Sequence, residues 1–204
     1  MSVKWEKGFL PVVSVLLLTV MLVSCQSASE EPHQDKSSTT TAGAPSASVS
    51  RNSTLELTPI EDLGITGEPQ DVDINEYRLA IDGLVEKPLS LSYQDILAYP
   101  PVTEIGIINC PGYFRDIAEW TGVPLKTIFT EAGLKPGAVQ ATFYSLDGYK
   151  STLSLEHINK HDVFLAYKVN GETLPREHGY PLRLVDKGSD GYAWVKWLER
   201  IEVG

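Results

Sequence analysis

Only two cysteines occur in 204 residues, Cys25 and Cys110. None of His33, His157, His161 or His178 lies near Cys110 in sequence. No zinc-ligand spacing and no Cys-x-x-Cys-His haem attachment can be drawn from them. There is no glycine-rich phosphate loop, no internal repeat, no Ser-His-Asp order and no paired-carboxylate motif. Basic residues are also short: 17 Lys and Arg against 27 Asp and Glu give a formal charge of −10. Removing the +1 of Lys4, Lys7 and Glu6 from −10 leaves −11 for the chain beyond residue 24. That excludes nucleic acid and an anionic lipid surface as partners of the folded part. The first 24 residues contain no arginine, so the leader is not of the twin-arginine kind.

What is present begins with a leader. Lys4 and Lys7 form a basic start, and Phe9 to Val23 is an apolar run broken by Pro11, Ser14 and Thr19. The run is too short, and too abruptly followed by polar sequence, to span a bilayer. It ends in Leu22-Val23-Ser24-Cys25, a lipobox in which Cys25 receives the lipid and becomes the mature N-terminus. Residues 25–54 are mostly Ser, Thr, Ala, Glu and Pro. Such a segment cannot bury enough surface to offset its ordering entropy. It reads as a tether with a root-mean-square reach of roughly 30 Å. The expected organisation is a signal peptide over 1–24, a lipidated tether over 25–54 and one domain over 55–204. The expected location is outside the cytoplasm, lipid-anchored to a bacterial membrane. With Cys25 lipidated, Cys110 is a lone thiol in an exported protein.

The domain alternates short helices with many strands. Leu55 to Ile74 is acidic and punctuated by Gly and Pro, which predicts loop. Tyr77, Leu79 and Ile81 alternate with Arg78, Ala80 and Asp82 as in a half-buried strand. Ser92 caps a helix over Tyr93 to Ala98, which Pro100-Pro101 ends. Val102 to Ile108 is a strand leading to Cys110. Pro124 opens a helix to Ala132, stopped by Gly133. Asp147-Gly148 joins Gln140–Ser145 to Tyr149–Leu153, and Asn170-Gly171 joins Val163–Val169 to Glu172–Leu174, as hairpins. Leu182 to Val185 and Val195 to Val203 complete the strands. Without a regular β-α-β-α alternation the class is α+β, a single mixed and strand-rich domain.

Cys110 stands at a strand end before Pro111-Gly112, a rigid place from which to present a side chain. Spacing alone leaves it equally an inert buried thiol. The run from Tyr77 to Val203, however, resembles the molybdopterin-binding core shared by sulfite oxidases and the catalytic subunit of protein-methionine-sulfoxide reductase. The resemblance is carried by Leu79-Ala80-Ile81-Asp82-Gly83-Leu84-Val85, Asn109-Cys110-Pro111-Gly112, Glu119-Trp120-Thr121-Gly122-Val123-Pro124-Leu125, Leu165-Ala166-Tyr167, Asn170-Gly171, Leu174-Pro175, His178-Gly179-Tyr180-Pro181-Leu182-Arg183 and Val195-Lys196-Trp197.

The resemblance implies a molybdenum–molybdopterin cofactor whose metal Cys110 ligates, as a soft thiolate suits a metal held by a dithiolene. It implies that His178, Arg183 and Lys196 hold the anionic pterin phosphate, arginine as a planar fork and lysine as a point charge. It places Ser145 and Asp147 against the pterin, and Arg115 where sulfite oxidases have a catalytic arginine that binds the oxyanion substrate. Trp120 and Trp197 are expected in the core. A cationic pocket of Arg183, Lys196 and His178 should lower the thiol pKa of Cys110. The implied function is a membrane-tethered oxidoreductase that moves an oxygen atom and two electrons on a small-molecule substrate, with a separate electron-transfer partner. Two departures from the family stand out. Ile60 to Asp73 has no recognisable version of the family's N-terminal pterin contacts, and the sequence ends at Gly204, before the family's dimerisation region. These, with the arginine-free leader, support an alternative expectation: a cofactor-free binding module on the same fold.

Overall fold

The computed structural model describes residues 55–204. The leader, the lipobox at Cys25 and the tether lie outside the described residues. Among the described residues, ten strands form two sheets. The first has the order β2-β1-β10-β5-β6, made of Leu79–Gly83 (β1), Leu89–Leu91 (β2), Gln140–Ser145 (β5), Lys150–Ser154 (β6) and Leu198–Val203 (β10). β1 and β10 run parallel and the other neighbours antiparallel. The second is antiparallel with the order β3-β4-β7-β8, from Val102–Cys110 (β3), Phe114–Pro124 (β4), Phe164–Val169 (β7) and Glu172–Thr173 (β8); Arg183–Val185 (β9) also pairs with β7. Three short helices complete the fold: Tyr93–Ala98 (α1), Leu125–Ala132 (α2) and Leu155–Lys160 (α3). The α+β class follows.

The local reasons are those of the sequence. β1 buries Leu79 and Ile81 and turns Ala80 and Asp82 outward. Ser92 and Asp95 close a reciprocal capping box on α1. α2 buries Leu125, Ile128, Phe129 and Ala132, one stripe at helical spacing. It begins one residue after Pro124 and stops at Gly133, whose φ is 68°. β10 starts at Leu198, three residues later than expected, because the chain first makes a 3₁₀ turn at Gly191–Ala193 and a left-handed residue at Trp197.

β4 is the largest element that sequence patterning leaves out. It alternates inward Asp116, Ala118 and Trp120 with outward Arg115, Ile117 and Glu119. Its register on β7 shifts between Thr121 and Gly122. At Gly122 a side chain would meet the Leu165 carbonyl at 2.0 Å, so only glycine permits that bulge. One hydrophobic core joins residues of both sheets, including Leu79, Phe143, Leu165, Leu184 and Ile201. No helix among the described residues is long and apolar enough to cross a membrane.

Candidate active site

β3 ends at Cys110, and the Tyr113 amide donates to the Cys110 carbonyl at 2.9 Å. Pro111 and Gly112 (φ 82°) occupy the two central positions of that turn, the residues a type II turn demands. The turn presents a half-buried Cys110 to a cleft of about 390 Å³. Four separate pieces of chain build the cleft: Thr66 and Gly67; the β3–β4 turn; Ser145 to Tyr149 in the β5–β6 hairpin; and Gly191 to Trp197. The hairpin and Gly191–Trp197 lead into or out of the first sheet, and the Cys110 turn belongs to the second. The cleft therefore lies where the sheet ends meet.

Of the residues expected at the site, Cys110, Ser145, Asp147 and Lys196 line the cleft. Ser145 is buried, and its hydroxyl receives the Asp147 amide at 3.4 Å. Asp147 in turn accepts the Tyr149 amide at 2.9 Å, an Asx turn that shapes the hairpin tip. Trp197 is buried and also walls the cleft, and Trp120 is wholly core. Arg115 is exposed on β4 and does not line the cleft.

Arg183 and His178 are buried behind the cleft wall. The Arg183 guanidinium lies 5.1 Å from the Trp120 ring centre and 5.7 Å from that of Trp194, a cation beside two aromatic rings that themselves pack edge to face. Its Nη1 donates to the His178 carbonyl at 3.2 Å, and its buried Nε has no partner among the described residues. An unpaired donor in a dry site costs free energy unless something completes it. Burial pushes the Arg183 pKa down to about 10, with Cys110 and Asp116 opposing. Lys196 Nζ donates to the carbonyls of Glu177 at 3.0 Å and of Thr66, and sits 4.2 Å over the Trp197 ring. Burial, and then Arg183, push it down to about 8. Gly179 (φ 110°) lets this lysine pass, since a side chain there would come within 3.0 Å of its Cβ.

Two expectations are corrected here. His178 does not add a third positive charge. Burial, then Arg183 and Lys196, lower its pKa below the ordinary value, so it is neutral near pH 7. The Cys110 thiol pKa is raised, not lowered. Burial is the largest cause, with Asp116 and Asp190 adding to it, and the attraction of Arg183 and Lys196 is outweighed. The protein's own groups therefore favour the thiol, and a bound cation would favour the thiolate.

The segment Ile60 to Asp73, which carries no recognisable cofactor contacts in sequence, is part of the site. Thr66 and Gly67 line the cleft, Thr66 accepts from Lys196, and the Gly64 amide donates to buried Asp116 at 2.7 Å. Gly191 was equally hidden: it touches the Cys110 sulfur so closely that an ideal Cβ would lie 2.3 Å away. Tyr113, Tyr149 and Tyr192 line the mouth. No local signal marks these residues, because only the chain's return to Cys110 gives them a role. Trp197 holds φ at 48°, a strained value for an aromatic residue. Its indole donates to the Arg176 carbonyl at 2.7 Å.

This constellation suits a molybdenum-pterin group: a soft sulfur donor in a cleft, with a lysine on its wall and a buried arginine of incomplete hydrogen bonding behind it. The comparisons agree. Residues 66–204 match the oxidoreductase molybdopterin binding domain. Among curated relatives, the uncharacterized oxidoreductase YuiH of Bacillus subtilis (strain 168) is 34% identical over 139 residues, 67% of this chain and 70% of that protein. The protein-methionine-sulfoxide reductase catalytic subunit MsrP of Gluconobacter oxydans is 31% identical over 145 residues, covering 62% of this chain and 46% of its own length. The sulfane dehydrogenase SoxCD of Paracoccus pantotrophus superposes with a TM-score of 0.63 at 34% identity, over 66% of this chain and 40% of that one. The chain thus spans less than half of MsrP and of the SoxCD chain. Sequence, fold and the chemistry of the Cys110 cleft converge: the chain belongs to the molybdopterin-binding oxidoreductases of the sulfite oxidase and MsrP type, whose cofactor is molybdenum–molybdopterin.

Proposed function

We propose that this protein is a membrane-tethered oxidoreductase acting on a small substrate, with Cys110 as the metal ligand. The observation that carries the reading is the Cys110 sulfur in a cleft that it shares with Lys196, backed by buried Arg183. Cys110 would hold the metal as thiolate. Lys196 would hold an anionic oxygen of the pterin phosphate. Arg183 supplies field from behind and the unpaired Nε as a further donor. Neutral His178 orients by hydrogen bonding. Ser145 and Asp147 fix the hairpin tip against the pterin. Trp197 and the Thr66–Gly67 segment exclude water, which strengthens every charge interaction in the cleft. The bound group supplies two-electron oxygen-atom transfer chemistry. Electrons pass to or from a separate redox partner. Cys25, lipidated, holds the domain outside the cytoplasm. Arg115 pairs with Asn109 on the strand that carries Cys110 and stands outside the cleft lining.

The test is molybdenum analysis of protein purified from its native envelope. Wild type should carry about one molybdenum per chain, and Cys110→Ser none, with circular dichroism unchanged. A metal-free wild type whose Cys110 resists thiol reagents until unfolding would replace this reading with that of a cofactor-free binding module.

A further inference from the structure

His157 and Asp186 lie outside the Cys110 cleft and have no part in the function proposed above. Asp186 is fully buried, yet it is a carboxylate. His157 Nε2 donates to it and lies 2.8 Å from both of its oxygens. The Gly188 amide adds a bond to Oδ1 at 3.0 Å. A buried carboxylate left without such donors would be costly, so these bonds fix the chain that carries Asp186. His157 is itself held, because its amide donates at 3.1 Å to the Ser154 hydroxyl that caps α3. His161 stacks on His157 with 4.4 Å between ring centres, a packing contact only. The tie from α3 to Asp186 is made by His157.

What the pair fixes is a loop that returns to the cysteine. Residues 186–190 join β9 to the Gly191–Ala193 turn. Inside the loop the Ser189 amide donates to the Asp186 carbonyl at 3.1 Å, and the Trp194 indole donates to the Ser189 carbonyl at 3.2 Å. The far end is stitched to β3, where Asn109 Nδ2 donates to Asp190 at 2.9 Å. Gly191 follows at once, set against the Cys110 sulfur, Ile108 and the Asn109 carbonyl. Lys187 and Glu104 also bridge the loop to β3 at 3.0 Å. Both are exposed, and exposed pairs hold little. Asp186 is therefore the buried charged anchor of the loop.

We infer that His157 and Asp186 are positioning residues for Cys110: their buried pair holds the loop over 186–190, and the loop holds Gly191 on the cysteine sulfur. The importance of that sulfur as a metal ligand rests on the function proposed above. Without the pair the loop opens more often, Gly191 lifts, and the thiol loses both its cover and its fixed place. Loss of a hydrogen bond to a charged group shifts such a local opening by about ten- to hundredfold.

The experiment measures alkylation of Cys110 by iodoacetamide in the full chain, produced without molybdopterin and read by peptide mass mapping. His157→Ala should raise the rate about tenfold or more. His157→Gln, whose amide can donate from much the same place as Nε2, should restore a rate within about twofold of wild type. Ile96→Ala, a core truncation in α1, should lower the melting temperature and leave the rate in place. The double variant His157→Ala with Asp186→Asn leaves no unpaired buried charge. It keeps the readout where the single variant does not fold, and it should show the same rise. A folded His157→Ala or double variant with the wild-type rate, a rise matched by Ile96→Ala, or no recovery in His157→Gln overturns the inference. Molybdenum content of wild type from its native envelope reports separately on the metal-ligand reading. A metal-free wild type with this pattern of rates intact removes that reading and leaves the hold of His157 and Asp186 on Cys110 standing.

Discussion

Replacing Gly191 by alanine would place a methyl carbon 2.3 Å from the Cys110 sulfur. Non-bonded heavy atoms rest at about 3.5–4.0 Å, so one partner must move by roughly 1.2–1.7 Å. The methyl group cannot simply retreat, because Ile108 Cγ1 and the Asn109 carbonyl lie 3.2 and 3.3 Å from the same position. The Cys110 side chain must therefore rotate out of its place in the cleft. A metal ligand has to be held within about 0.5 Å of its working position, so the displacement should remove molybdenum altogether. Overpacking of this kind costs about 1–3 kcal/mol. For a domain of this size that is a melting decrease of roughly 2–12 °C. Gly188→Ala is the matched control: its Cβ would press on the His161 ring at 2.4 Å, away from the cleft lining. Molybdenum per chain is measured by plasma mass spectrometry and melting by calorimetry. Gly191→Ala should lose both metal and stability, and Gly188→Ala only stability. A Gly191→Ala protein with wild-type molybdenum and wild-type melting would refute the close approach of the turn to Cys110.

Lys196, with its pKa lowered from 10.5 to about 8, releases its proton earlier in the folded chain than in the unfolded one. Between about pH 8 and 10.5 the unfolded state binds more protons, so folding stability should rise with pH in that window. Anion affinity of the metal-free protein should fall over the same range as the charge is lost. Pyrophosphate titrations and denaturant melts at pH 7, 8.5 and 10 check both trends, and Lys196→Gln should flatten them; persistence of the two slopes in that variant would exclude Lys196 as their source. At the other end of the chain, Cys25→Ser should release soluble protein or leave an unprocessed precursor in fractionated cells, and unchanged membrane attachment would rule out the lipid anchor.

Much of the fold is legible because its causes are local. The alternation of Leu79 and Ile81, the Ser92 cap, and the Asp147-Gly148 and Asn170-Gly171 turns depend on a few neighbouring residues each. β4 is not legible, since its inward row contains Asp116 and Ala118 beside Trp120 and so breaks the apolar alternation. Asp116 is tolerated inside because the Gly64 amide, 52 residues away, bonds to it. α3 is obscured in the same way: it is six residues long with Ile158 as its one buried side chain, too little for a helical period.

The sequence by itself determined the strand–turn presentation of Cys110, through Pro111 and Gly112, and the family to which its motifs belong. Tertiary structure alone decided the charge states and the walls of the cleft. Arg183 is buried against Trp120 and Trp194, Lys196 is tied to Thr66 and Glu177, and Gly191 rests on the cysteine. The neutral His178 and the raised Cys110 thiol follow from that packing. Desolvation and charge proximity depend on which atoms surround a group in space, and here those atoms come from positions as far apart as Thr66 and Lys196; turn chemistry depends only on the next two or three residues, which is why the first could not be read along the chain and the second could.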